Sequence, residues 1–186
     1  MKQNKKQNLK DLAEGSSPLL TFGTQPLSPL LPLRLFLSIT NMTVSQLAEV
    51  LGTSASNVST MLKRNDIKLS VIEKIFMSHG CKLSIELLTP YELKYIHIED
   101  SARNRLKVVN EKRLSFLVRA IAKTGFTNKE LGKDIYDRFG QGGPALLQYH
   151  LRMDDMRISW VYLYASIMGL EPYFTIMPVD PVDSYR

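Results

Sequence analysis

The chain has 186 residues, 44% of them hydrophobic and 23% charged, enough for one ordinary core or two small ones in a soluble protein. A lone cysteine, Cys81, excludes an internal disulfide and fits a reducing cytoplasm, and no run of about 18 uncharged apolar residues is present to span a membrane. The net charge of +6 suits an anionic partner and is uneven: +3 in residues 1–42, +1 in 43–89, +2 in 90–113 and zero in 114–186, so counter-ion release at phosphates would be driven from the first two-thirds.

Residues 1–30 open with lysine and glutamine and pass into a Pro/Ser/Gly-rich stretch without a sustained period. They predict a flexible basic arm, either reaching into a neighbouring DNA groove or simply solvated. Pro18, Pro26, Pro29 and Pro32 break the apolar stretch that follows the lysines, so a signal peptide is not expected.

The segment TVSQLAEVLGTSASNVSTMLK, from Thr43 to Lys63, carries the strongest signal. Leu47, Ala48 and Leu51 fall on one helical face, with Ala48 small enough for a second helix to approach. Gly52 supplies the left-handed exit that a sharp turn needs, and Ser54 is an N-cap for the next helix. In that helix Val58, Met61 and Leu62 share the inner face. Ser56, Asn57, Ser59, Thr60 and Lys63 form a short, polar outer one. After a polar connection, Val71, Ile72, Ile75 and Phe76 mark a further inward helical face, Gly80 stops it, and Leu83, Ile85 and Leu87 alternate as in a strand.

The run QLAEVLGTSASNVSTMLKR, Gln46 to Arg64, resembles the phage-repressor-type helix-turn-helix of the lambda-repressor-like or XRE family. Its buried alanine corresponds to Ala48, its turn glycine to Gly52 and the core aliphatic of its recognition helix to Val58. Residues 65–88 look like the same family's continuation, and Pro32 to Thr40 would serve as its first helix. The resemblance implies double-stranded DNA as partner and a transcriptional regulator of the kind found in bacteria and their mobile elements. Ser54 would cap the recognition helix. Ala55, Ser56, Ser59 and Thr60 would face bases, and Asn57, Lys63 and Arg64 would hold phosphates or adjacent base edges. Small hydroxyl side chains imply modest direct readout, with DNA shape and water contributing.

Beyond a linker at residues 90–110, whose basic run Arg103, Arg105 and Lys107 is either a phosphate contact or a solvated face, the chain contains a diverged copy of itself. An offset of 89 places Leu62, Asp66, Ser70 and Gly80 on Leu151, Asp155, Ser159 and Gly169. The same offset places Lys63, Lys68, Leu69 and Ile85 on Arg152, Arg157, Ile158 and Phe174. Upstream the offset is 84, pairing Thr43, Leu47 and Ala48 with Thr127, Leu131 and Gly132. The five extra residues fall within Tyr136–Gly143. The copy's first helix starts near Arg113, with Leu114, Leu117, Val118 and Ile121 on one face and Gly125 as stop.

The second copy's recognition-helix equivalent, from Gly143, replaces Ser56, Asn57 and Ser59 with Ala145, Leu146 and Gln148. Gln148 suits adenine and Arg152 suits phosphate or guanine, whereas Leu146, Leu147 and Tyr149 read as packing. Each copy ends in a strand-like stretch, and pairing the two strands would remove exposed edges and make an intramolecular pseudo-dimer. The same edges could equally pair between chains in a homodimer.

His79, His97 and His150 are isolated, and no HExxH, CxxC, phosphate loop or GxSxG elbow is present. Asp154 and Asp155 match Asn65 and Asp66, where a polar interhelical loop suffices, so no metal, cofactor or catalytic residues are expected and the chain is not read as an enzyme. The expected fold is mainly α. It has an arm (1–30), a helix-turn-helix domain (31–89), the linker (90–110), a diverged second helix-turn-helix-like domain (111–181) and a tail (182–186), each domain ending in a short β-strand. The expected function is sequence-specific DNA binding in the cytoplasm. The alternative is a protein-interaction module, antitoxin-like or a scaffold, that keeps the fold and holds a protein partner through its aromatic second unit, where Trp160, Tyr162, Tyr164 and Tyr173 form either core and surface or an aromatic-rich interface for that partner.

Overall fold

Three helices begin with the same device. Thr43, Thr89 and Thr127 each accept a hydrogen bond from the backbone N–H three residues on, and Gln46, Glu92 or Glu130 at that position reaches back to the threonine N–H. This satisfies two of the donors that a helix start leaves unpaired. The computed structural model describes residues 20–22, 30–64, 66–95, 112–140 and 142–179. The linker cations Arg103, Arg105 and Lys107, His97, most of the arm and the tail 182–186 lie outside these residues.

The fold is mainly α. Helices α1 (Leu31–Thr40), α2 (Val44–Leu51), α3 (Ala55–Arg64) and α4 (Leu69–Met77) lead into strand β2 (Cys81–Leu88) and a one-turn helix α5 (Pro90–Lys94). The order then repeats as α6 (Ser115–Thr124), α7 (Asn128–Phe139), α8 (Pro144–Met153), α9 (Ile158–Ile167) and strand β3 (Glu171–Pro178). The inserted residues divide in two: α7 has 12 residues where α2 has 8, and the turn 140–143 is one residue longer than 52–54.

Residues that read as inward do pack inward, except Val118 and Tyr149. Leu47, Val58, Ile72, Ile75 and Phe76 are buried in the first unit, and Leu117, Leu131, Ile135, Leu147 and Val161 in the second, all within one continuous core. Val118, expected on the inner face of α6, is 54% exposed, and Phe116 is buried in its place. The larger apolar area of the phenylalanine wins the core-facing position and rotates the stripe to Phe116, Leu117 and Ala120. The repeat also trades Ala48 for Gly132 where two helices meet. A Cβ on Gly132 would lie 2.4 Å from the Pro144 nitrogen and 2.5 Å from its Cα, so only glycine admits the start of α8 at this distance from α7.

The two strands pair antiparallel along their full length. Ile85 faces Phe174, its own repeat equivalent, so that rung lies on a pseudo-two-fold axis. The flanking rungs are mirrored accordingly, Leu83 to Ile176 and Leu87 to Pro172. A short strand β1 (Leu20–Phe22) adds to the other edge of β3, giving the order β1-β3-β2. Part of the stretch read as a flexible arm is therefore ordered backbone, because an edge with unpaired donors and acceptors recruits a strand. Leu30, the last residue of that stretch, is fully buried.

Candidate nucleic-acid interface

Helix α3 is positioned by its caps and its inner face. The Ser54 hydroxyl accepts from the Asn57 N–H at 3.2 Å, as expected of the cap. Gly52, with φ of 66°, turns the chain between α2 and α3. Val58 is fully buried, while Met61 and Leu62 are partly so. What remains outward is Ser54, Ala55, Ser56, Asn57, Thr60, Lys63 and Arg64, all exposed. Ser59 is half-buried, turned toward the inner stripe. The Asn57 side-chain amide donates to Thr53 Oγ1 at 3.1 Å, which leaves its carbonyl oxygen for an outside donor. The outer face carries no carboxylate, and its two cations sit in the last turn, where they also complement the helix dipole.

Directly after α3 the chain enters the pseudo-two-fold junction. Lys68 and Arg157, repeat equivalents, form an antiparallel bridge, with Leu69 N–H donating to the Met156 carbonyl at 2.8 Å and Ile158 N–H to the Ile67 carbonyl at 2.9 Å. The side chains repeat the exchange. Asp155 accepts from the Ser70 N–H at 3.1 Å and from its hydroxyl at 2.7 Å, while Asp66 accepts from the Ser159 N–H at 3.2 Å. Lys68 faces Asp155 at 3.9 Å and Arg157 faces Asp66 at 3.8 Å. The neighbouring Asp154 accepts the N–H groups of Arg113 and Leu114 at 2.8 and 2.9 Å, and Arg113 pairs with Glu73 of α4 at 2.7 Å.

Asp66 and Asp155 thus hold the two units together, while Asp154 holds the chain just before α6 within the second unit. The sequence does not mark the junction cations Lys68 and Arg157 as site residues. The only available signal was their conservative match at the 89-residue offset. Both are exposed, next to the C-terminal ends of α3 and α8.

In the second unit, Gln148 and Arg152 are exposed as a DNA contact requires. Tyr149, expected from the sequence to pack, is 47% exposed instead. Leu147, His150 and Leu151 take the inner side of α8 and turn residue 149 outward. The Arg152 guanidinium lies over the Tyr149 ring, 5.8 Å from its centroid, within cation–π range. Behind this face His150 Nδ1 meets the Tyr164 hydroxyl at 3.1 Å beside Trp160. Burial holds the His150 pKa below its ordinary value, with the Asp155 charge opposing the shift, and pushes the Tyr164 hydroxyl far up.

Elsewhere among the described residues, no group of three or more His, Cys, Asp and Glu side chains is arranged to hold a metal. No described helix is long and apolar enough to cross a membrane. Burial raises the Cys81 thiol to about 11, so the thiol stays protonated at neutral pH. The chain matches no known family model, no curated protein and no solved structure.

Proposed function

We propose that this chain is a sequence-specific DNA-binding transcriptional regulator of the phage-repressor type, acting in the cytoplasm and carrying both halves of a pseudo-dimer in one polypeptide. The observation that carries the reading is the outer face of α3. It is a solvent-exposed strip of small hydroxyl and amide side chains without a single acid, ending in Lys63 and Arg64 and mounted on a capped helix after a left-handed glycine turn. Short polar side chains let a helix enter a major groove closely, and the terminal cations suit the flanking phosphates. The reciprocal junction at Asp66 and Asp155 supplies within one chain the pairing that such domains ordinarily obtain by dimerising.

Site selection from a random duplex pool, with wild type and with a Ser56→Glu, Thr60→Glu double variant, tests the proposal. The wild type should enrich one motif, and the variant should lose it by more than about 100-fold, because like charges at an interface cost several kcal/mol. Affinity for the selected site should fall steeply between about 50 and 200 mM salt. Absence of an enriched motif at either salt sinks the reading.

Of the aromatic residues expected to offer a protein interface, Tyr164 and Tyr173 are buried and Trp160 and Tyr162 partly so, and the protein-interaction alternative draws instead on the exposed Tyr136, Phe139 and Tyr149 of the second unit. Binding to a protein through that surface would be nearly insensitive to salt, so the same titration separates the two.

A further inference from the structure

We infer that α8 is a second DNA reader of different chemistry, so that one chain recognises an asymmetric site made of two unlike half-sites. The inference rests on the DNA-binding reading of α3 and extends it to the opposite unit. At the offset of 89, Ala145, Gln148, Tyr149 and Arg152 occupy the positions of Ser56, Ser59, Thr60 and Lys63. All four are exposed on one side of α8, at the i, i+3, i+4, i+7 spacing of a single helical face. The junction relates the two helices: each enters it within a few residues of its C-terminal end, at a bridge and a strand rung that lie on the same pseudo-two-fold. Whatever groove geometry α3 adopts, its symmetry-related counterpart is therefore offered by α8.

Charge fits the same occupant. Helix α8 contains no carboxylate, and Asp154 and Asp155, which follow it, are engaged with Arg113, Leu114 and Ser70. The face also sets specific reading chemistry at positions where α3 carries Ser56, Ser59, Thr60 and Lys63. Gln148 can pair bidentately with adenine, Arg152 with the O6 and N7 of guanine, and the Ala145 methyl can touch a thymine methyl. Tyr149 lies under Arg152 and leaves the guanidinium edge free while restricting its motion. The hydroxyl-rich α3 and the amide-and-guanidinium α8 would thus prefer different base pairs.

The experiment is site selection from a random duplex pool with the full chain, in wild type and in a Gln148→Ala, Arg152→Ala variant, followed by sedimentation of the complex on the selected duplex. The expected motif has two unlike halves with centres about 10 base pairs apart, occupied by one chain. The variant should lose preference in one half only and bind the selected site about tenfold or more weakly, as loss of a bidentate base contact implies. Gln148→Glu should move one position of that half from adenine toward cytosine, a change of preference that misfolding cannot mimic. A motif confined to a single half and indifferent to all these substitutions overturns α8 as a reader and leaves the proposed function standing. A palindrome bound by two chains also overturns it. No motif at all overturns both readings.

Discussion

Replacing Gly132 with alanine sets two effects of opposite sign against each other. Glycine in a helix interior costs about 0.5–1 kcal/mol relative to alanine, so propensity alone makes Gly132→Ala stabilising. The added Cβ, however, would lie 2.4 Å from the nitrogen of Pro144, 2.5 Å from its Cα and 2.7 Å from the Gly143 carbonyl carbon. All three are backbone atoms at the start of α8, and ordinary contact begins near 3.4 Å, so α7 and α8 would have to part by about 1 Å. A gap of that size forfeits a quarter to a half of each dispersion contact it opens. The two helices carry the buried Leu131, Ile135 and Leu147, whose packing such a gap would loosen. Overpacking of this kind costs about 1–3 kcal/mol, and after the propensity gain of about 0.5–1 kcal/mol the net loss centres on about 1 kcal/mol. Urea unfolding followed by circular dichroism should show a lower midpoint. The mirror change in the first unit, Ala48→Gly, should also destabilise, by about 1 kcal/mol or more, since there glycine adds flexibility and gives up a buried methyl. A midpoint for Gly132→Ala equal to or above that of the wild type would refute the reasoning.

Asp155→Ala strips the acceptor from the Ser70 N–H and hydroxyl and leaves Lys68 without its counter-ion. It should cost about 1–3 kcal/mol, and Asp66→Ala, with fewer and more exposed contacts, should cost less; comparing the two by urea unfolding checks the order. The folded-state pKa of His150 is depressed by burial, so its neutral form is favoured by folding. That contribution is present above the unfolded-state pKa of about 6.5 and is lost as pH falls below it toward the folded value. Unfolding midpoints at a pH above and a pH below that value should therefore fall further for the wild type than for His150→Gln. The Tyr162 hydroxyl is buried without a hydrogen-bond partner among the described residues. Tyr162→Phe should accordingly leave the melting temperature unchanged or raise it, since no made bond is lost.

Much of this protein is legible from local pattern. The helix-turn-helix spacing around Ala48, Gly52 and Val58, the Ser54 cap, the strand alternation at Leu83, Ile85 and Leu87, and the internal repeat all follow from periods and offsets that each segment carries in itself. The outward set on α3 is equally legible apart from Ser59, which is half-buried, because a residue's place on a helix follows from its spacing to buried neighbours. Where two apolar residues competed for one face, as Phe116 and Val118 did, spacing could not rank them. Tyr149 went the same way, since an aromatic residue on a helix is compatible with either side until a neighbour fills the core.

Tertiary structure alone decided how the two units meet. Nothing local in Asp66, Ser70, Asp155 or Ser159 says that they pair across the chain, and Leu20–Phe22 has no period that marks it as the third strand of a sheet. Those contacts exist because unpaired strand edges and buried polar groups are costly, and the partners that relieve the cost lie about 90 residues away along the chain. A sequence window of one helix determines which face is polar. Only the folded chain determines that the two polar faces are related by an axis, because the axis runs through contacts to which each unit contributes half.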